Sequence, residues 1–189
     1  MPAQVLYQPE YYSIEEYLAL EDEAEYKNEY HDGEIFPMAG STTNHNRISL
    51  NLCSALDIAT NNLDAQVFMS EVKLWIPKIR RFLYPDVMVT AAQPRYYQTR
   101  KDAILNPQVI VEVLSKSTKD YDKGDKFKFY RTLPSFQEYL LINQWEIYVE
   151  QYVKTVGNQW TFSEYDHPEA VLKLSTMPFQ IRLADLYKR

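Results

Sequence analysis

Two apolar runs constrain the fold most: Val109-Ile110-Val111-Glu112-Val113-Leu114 and Phe82-Leu83-Tyr84-Pro85-Asp86-Val87-Met88-Val89. Runs of this length, rich in Val and Ile, predict strands covered on both faces, the interior of an α/β sheet. Each run is interrupted by one acid. Alternation sets Glu112 on one face with Ile110 and Leu114, and Asp86 on one face with Tyr84 and Met88. A buried carboxylate is costly unless it is paired or ligates a metal, and Asp and Glu are poor strand formers. Two carboxylates on adjacent strands would form a site for a hard divalent cation. The competing reading, for either acid alone, is a carboxylate solvated at a strand end.

The chain has 189 residues, enough for one domain with a sizeable core, and 1–189 is expected to be that single domain. Only 4 Gly and an apolar share of 46% exclude a linker-rich chain. The one cysteine, Cys53, excludes an internal disulfide framework and fits a reducing compartment. It falls in the apolar stripe of a predicted helix and reads as an inert buried thiol. With 3 His and no CxxC or HExxH, a structural zinc site is not expected. Met1-Pro2-Ala3-Gln4-Val5 lacks the basic-then-apolar pattern of a signal peptide, and no apolar stretch reaches membrane-spanning length. A soluble, cytoplasmic protein is expected.

The net charge of −6 hides an asymmetry. Residues 1–40 carry ten acids and one base, Lys27, whereas residues 73–131 carry thirteen bases and six acids, a local excess of +7. One reading is an ordinary mixed surface. The other is a basic track beside the acidic pair, as phosphodiester chemistry requires. On that reading the basic segment surrounds the mouth of the site, and the acidic amino-terminal segment is turned elsewhere.

Ser13-Ile14-Glu15-Glu16 reads as a capping box opening a helix to residue 23. Asp32-Gly33 predicts a hairpin turn. A helix is expected over 44–62, with Ile48, Leu52, Ala55, Leu56 and Ala59 as its apolar stripe. Residues 66–76 alternate as one strand closed by Pro77, and 92–106 reads as a loop or an extra helix. Ser115-Lys116-Ser117-Thr118 leads from the Glu112 strand to a helix over 121–132, closed by Pro134. Strands are expected over 138–142, 146–153 and 160–165, and Asp185 in a short helix. The whole predicts an α/β fold around a mixed sheet. Lys126 shares a helical face with Asp122 and Tyr130, and the short path from Glu112 could fold that helix back over its own strand. The plainer reading is an exposed Asp122–Lys126 pair.

These residues together resemble the Uma2-type endonucleases of the PD-(D/E)xK nuclease superfamily. The resemblance rests on Tyr84-Pro85-Asp86-Val87, Glu112-Val113-Leu114-Ser115 and Asp122-Lys123-Gly124-Asp125-Lys126-Phe127 with Tyr130 and Glu138-Tyr139. Upstream, Glu29-Tyr30-His31-Asp32-Gly33-Glu34 and His45 extend it, so that it covers 13–139. It implies a restriction-endonuclease-like core, a mixed β-sheet flanked by helices. It also implies Mg²⁺ (or Mn²⁺) as cofactor and DNA as partner. Asp86 and Glu112 become metal ligands, the Val113 carbonyl a further one, Lys126 the lysine that positions water, and Glu29 an auxiliary acid. One departure stands out. The superfamily lysine lies two residues after the motif Glu, and position 114 is Leu, so Lys126 must reach in from the helix; Lys116, Lys123 and Lys73 are the alternatives.

His45 could contact a phosphate or orient Glu29, or it could serve as a cap or a core residue. Glu29 is favoured over Glu34, which directly follows the turn. Tyr96-Tyr97, beside Arg95, Arg100 and Lys101, could stack on bases or cover the sheet. The sequence reading is a Mg²⁺-dependent endonuclease, expected as a homodimer. Two alternatives remain: a catalytically degenerate nuclease-fold module that only binds DNA or scaffolds, marked by missing Mg²⁺ affinity, and a metal-independent hydrolase using the carboxylate pair, marked by activity in EDTA.

Overall fold

The structure, a computed structural model, describes residues 11–116 and 118–188. The Met1-to-Val5 stretch read for a targeting signal, and Ser117, lie outside the described residues.

Two six-stranded sheets carry the fold. The first comprises β1 (Asn28–His31), β2 (Glu34–Pro37), β4 (Lys73–Ile76), β5 (Arg81–Leu83), β7 (Tyr96–Tyr97) and β8 (Arg100–Ile104), ordered β2-β1-β5-β4-β8-β7. The second comprises β3 (Gln66–Met69), β6 (Val87–Thr90), β9 (Val109–Leu114), β10 (Glu138–Asn143), β11 (Val149–Lys154) and β12 (Trp160–Tyr165), ordered β12-β11-β10-β9-β6-β3. It is mixed: β9 and β10 are parallel and its other neighbours antiparallel. A small hairpin of β13 (Val171–Lys173) and β14 (Gln180–Arg182) follows.

Helix α1 (Ile14–Glu23) starts on the capping box, with Ser13 Oγ accepting from the Glu16 N–H at 3.1 Å and Glu16 Oε2 accepting from the Ser13 N–H at 2.7 Å. Its Tyr17 and Leu18 cover one face of the first sheet against Tyr30, Trp75 and Phe82. Helix α2 (Thr43–Thr60) lays Ile48, Leu52 and Leu56 on the second sheet with α5 (Leu183–Leu186) beside it. A third core joins Leu74 and Leu83 of the first sheet to Met88 and Ile110 of the second, and to Tyr130 and Phe136. At the β1–β2 turn Asp32 and Gly33 both have positive φ, as a two-residue hairpin of this hand requires.

Several expectations are corrected. The run 66–76 is two strands in different sheets, broken where the Val72 N–H turns back to the Met69 carbonyl at 3.0 Å. The run 82–89 is likewise divided: β5 ends in the first sheet, Pro85 has no N–H to continue a ladder, and β6 starts in the second. Asp86 therefore sits at the crossing between sheets and not within a strand. Residues 92–106 supply β7 and β8, so the tyrosines there pack on the first sheet; Tyr97 meets Trp75 and Phe82 edge-on at 5.3 Å each. The strand expected from 146 starts at Val149 after a hairpin loop, and the helix over 121–132 is three short pieces, α3 (Lys119–Tyr121), a π-helical turn (Asp122–Lys126) and α4 (Phe127–Tyr130).

The charge expectation also fails in part. The acidic amino-terminal segment pairs with the basic one, Asp22 with Arg100 and Asp32 with Arg80, so these arginines are not free to form a basic surface. Among the described residues no helix is long and apolar enough to cross a membrane.

Candidate active site

The β6–β9 ladder pairs Val87 with Val111, and the same register carried one step outward sets Asp86 opposite Glu112. Glu112 is 3% exposed, walled in because β9 has neighbours on both sides. Its Oε1 accepts from Tyr130 Oη at 2.6 Å and Lys126 Nζ at 3.1 Å. Asp86 Oδ2 accepts the Val113 N–H at 2.7 Å and lies 3.1 Å from His45 Nε2. His45 is held by the start of α2, where its N–H donates to the cap hydroxyl of Thr42.

Lys126 Nζ also lies 3.0 Å from Asp122 Oδ1, and the other oxygen of Asp122 accepts from Thr118 Oγ1 at 2.6 Å. The Lys126 contact is an ion pair without hydrogen-bond alignment, so Oδ1 of this buried acid has no true donor. Eight residues separate Asp122 from Tyr130, more than the roughly 7.2 that two α turns take. The wider π turn absorbs the excess, so Asp122, Lys126 and Tyr130 all face β9.

Glu29 on β1 completes the ring. Alternation puts it on one face with His31, whose Nε2 lies 3.1 Å from Glu29 Oε2 and 3.4 Å from the Tyr121 hydroxyl. Glu29, Tyr84, Asp86, Glu112, Tyr121 and Lys126 line a cleft of about 320 Å³, with His45 and Val113 also on its wall. Glu34 stands across the hairpin from His31 and does not line the cleft. Lys73 is bound to Asp102 at 2.7 Å in the first sheet and Lys123 to Glu150, so neither reaches the cleft. Lys116 is exposed beside it.

The family model Uma2, described as "Putative restriction endonuclease", matches residues 14–185. The chain belongs to the Uma2 family. Two relatives from Synechocystis sp. are similar along most of their length. The uncharacterized protein sll1609 is 42% identical over 162 residues, 86% of this chain and 92% of the relative. The uncharacterized protein slr1290 is 32% identical over 176 residues, covering 93% and 91%. In three dimensions the chain resembles a crystal structure titled as a putative nuclease belonging to DUF820 from Anabaena variabilis. The TM-score is 0.74, with 19% identity and coverage of 92% and 96%. The fold is the restriction-endonuclease-like α/β core.

The electrostatics of the cleft are unbalanced. Burial pushes the Glu112 carboxyl up to about 8; Lys126 pulls it back, and Asp122 and Asp86 push it further up. For Glu29 burial acts in the same upward direction, but the His31 hydrogen bond and the Lys126 charge outweigh it and hold the carboxyl below its ordinary range. Burial opposes the Lys126 charge, yet Glu112, Asp122 and Glu29 together raise its pKa well above the ordinary lysine value. Lys126 is thus held as an ammonium.

Sequence reasoning missed several residues of this cleft. Of the two readings of Asp122, a face shared with Lys126 and Tyr130 over the Glu112 strand or half of an exposed pair, the structure has the first, with Asp122 2% exposed; the spacing is visible in the sequence and the burial is not. His31 and Tyr121 carry no distinctive spacing. Gln144, which donates to the Leu114 carbonyl at 2.7 Å and accepts from Thr42 Oγ1, comes from a remote hairpin that no local pattern links to β9.

Proposed function

We propose that this chain is a Mg²⁺- or Mn²⁺-dependent endonuclease that hydrolyses DNA phosphodiester bonds, in the cytoplasm and as a homodimer. The observation that supports it most is the facing of Asp86 and Glu112 across β6 and β9 with the Lys126 ammonium against Glu112. The donor set suits a hard cation. Asp86 takes its hydrogen bonds on Oδ2 and Glu112 on Oε1, so among the described residues one oxygen of each has no protein donor. No group of three or more His, Cys, Asp or Glu among the described residues is arranged as a metal cluster. Mg²⁺ does not require one, since it keeps several waters and takes few protein oxygens.

Asp86 and Glu112, with the Val113 carbonyl, would hold the cation. When bound, it would neutralise charge on the scissile phosphate and acidify a water. Lys126, fixed as an ammonium, would donate to that water or to a phosphate oxygen. Glu29, held ionised, would accept a proton or orient the water. Tyr130 fixes the rotamer of Glu112, and His45 that of Asp86, where it also meets an incoming phosphate. Lys116 and Lys119, exposed beside the cleft, add the electrostatic attraction that a phosphate backbone requires. Exposed Leu50, Ile58 and Leu63 offer apolar area for a two-fold contact.

Plasmid nicking tests the reading. Cleavage should depend on Mg²⁺ or Mn²⁺, stop in EDTA and weaken steeply with salt. Cleavage that persists in EDTA, or DNA affinity indifferent to ionic strength, would overturn it. Sedimentation showing only monomer would remove the dimer.

A further inference from the structure

A second cavity, about 230 Å³, adjoins the cleft, and Gln144 lines both. One side is the start of α2, where Asn44, Arg47 and Ile48 fall on a common face by helical spacing while Thr42 and His45 face the cleft. The other side is the loop between β10 and β11, which presents Trp145 with 48% of its surface exposed.

This loop is held rigid. The Trp145 N–H donates to Asn143 Oδ1 at 2.9 Å, and Asn143 Nδ2 donates to Glu146 Oε1 at 2.7 Å. The Tyr187 hydroxyl is shared between the carbonyls of Asn143 and Tyr148 at 2.8 and 2.9 Å. With the backbone beneath it held in this way, the indole has only its own rotamer left to order when something stacks on it. Arg47 has no ion pair among the described residues, and Glu146, the carboxylate lining the same cavity, accepts from Asn143 instead. A π face, a guanidinium without a direct ion pair and the Asn44 amide form the set that recognises a nucleobase with its phosphate.

We propose that this cavity is a nucleobase subsite, taking one unstacked base of the DNA strand whose scissile phosphate lies in the cleft. Trp145 stacks on the base, Arg47 neutralises the flanking phosphate, and Gln144 is the wall between the reacting centre and the subsite. This rests on the nuclease reading and specifies its substrate as single-stranded or locally opened DNA, since a paired base cannot enter.

The test is binding of a fluorescein-labelled single-stranded deoxyoligonucleotide in EDTA, so that turnover plays no part. Trp145→Ala should weaken binding roughly 5- to 150-fold, the loss of one stacked base, while Trp145→Phe keeps most of it. In the unmutated protein, an abasic residue walked along the strand should cost affinity at one position, and that cost should vanish in Trp145→Ala. This scan needs no folded variant to be informative. Unchanged affinity in Trp145→Ala, or a flat scan in the unmutated protein, overturns the subsite while leaving cleavage intact. A protein that neither binds nor cleaves any oligonucleotide overturns the nuclease reading, and the subsite with it.

Discussion

Two ionic clusters in this molecule use the same residue types to opposite ends. In the first sheet Arg100 grips Asp22 and Asp102, and Lys73 donates to Asp102 at 2.7 Å, so two cations meet two anions. In the cleft Glu112 and Asp122 contact the Lys126 ammonium, and Glu29 and Asp86 line the same space, so four acids share one lysine. One acid of each cluster shows the contrast, with burial the larger cause at Glu112; Glu29, in the same cleft, is instead held low by His31 and Lys126. The Arg100 hydrogen bonds, aided by Lys73, hold the Asp102 carboxyl far below the ordinary range, whereas the buried Glu112 is pushed up to about 8. A balanced cluster is complete as it stands. An anionic surplus in a buried place has to be discharged by a proton or by a cation.

That contrast can be broken at several points. The largest effect is expected from Asp86→Asn and Glu112→Gln: nicking of supercoiled plasmid and Mg²⁺ binding by titration should both be abolished while the thermal midpoint holds or rises, because each variant relieves surplus charge. A drop in stability in both would make these structural acids. Next, Lys126→Met keeps the packing of the stem and should slow single-turnover cleavage by about 10²–10⁴-fold, the loss of a group that handles the proton or its water.

The pH dependence sharpens the comparison. A carboxyl with a folded pKa raised above its unfolded value of about 4.3 contributes stability that is complete below that value and lost as pH rises through the folded pKa. Apo protein should therefore lose stability from about pH 5 to about 8 in denaturant titrations, and Glu112→Gln should flatten that slope. Glu29 and Asp102, both lowered, contribute in the opposite sense, with stability present above their unfolded values and lost only on acidification. The smallest effect is expected at the balanced cluster. Lys73→Met removes a charge-assisted hydrogen bond, costs roughly 1.5–3 kcal/mol in chemical denaturation, and leaves cleavage per folded molecule unchanged. Loss of cleavage there would erase the distinction between the two clusters.

Much of the cleft was legible in the sequence because an acid inside an apolar strand conflicts with folding, and such conflicts are visible one residue at a time. Glu112 announced itself in this way, and the two acids fall opposite one another because strand register is fixed by the ladder beside them. What was not legible came from long-range closure. The apolar phase shifts from Val67 and Met69 to Val72, Leu74 and Ile76, and Pro85 interrupts the second run, so each break leaves a local mark; that the chain passes from one sheet to the other there is closure no local pattern carries. The pairing of Asp22 with Arg100 and of Asp32 with Arg80 defeats a charge count along the chain, since segment totals carry no information about which segments meet. Gln144 reaches Leu114 from thirty residues away by the same kind of closure.

The π-helical turn at Asp122–Lys126 leaves a mark on how chains of this kind can vary. It is one residue longer than the α turn it replaces. A single deletion among 123–125 could therefore be absorbed as ordinary helix, with Phe127–Tyr130 still seated and the protein still folded. The cost would fall on phase alone: Asp122 would swing off the line shared by Lys126 and Tyr130, and Thr118 would lose its acceptor. Chain length in this one turn is thus a coordinate for function that is nearly silent for folding, and single-residue gaps there should separate cleaving chains from inert ones more sharply than any substitution on the surface.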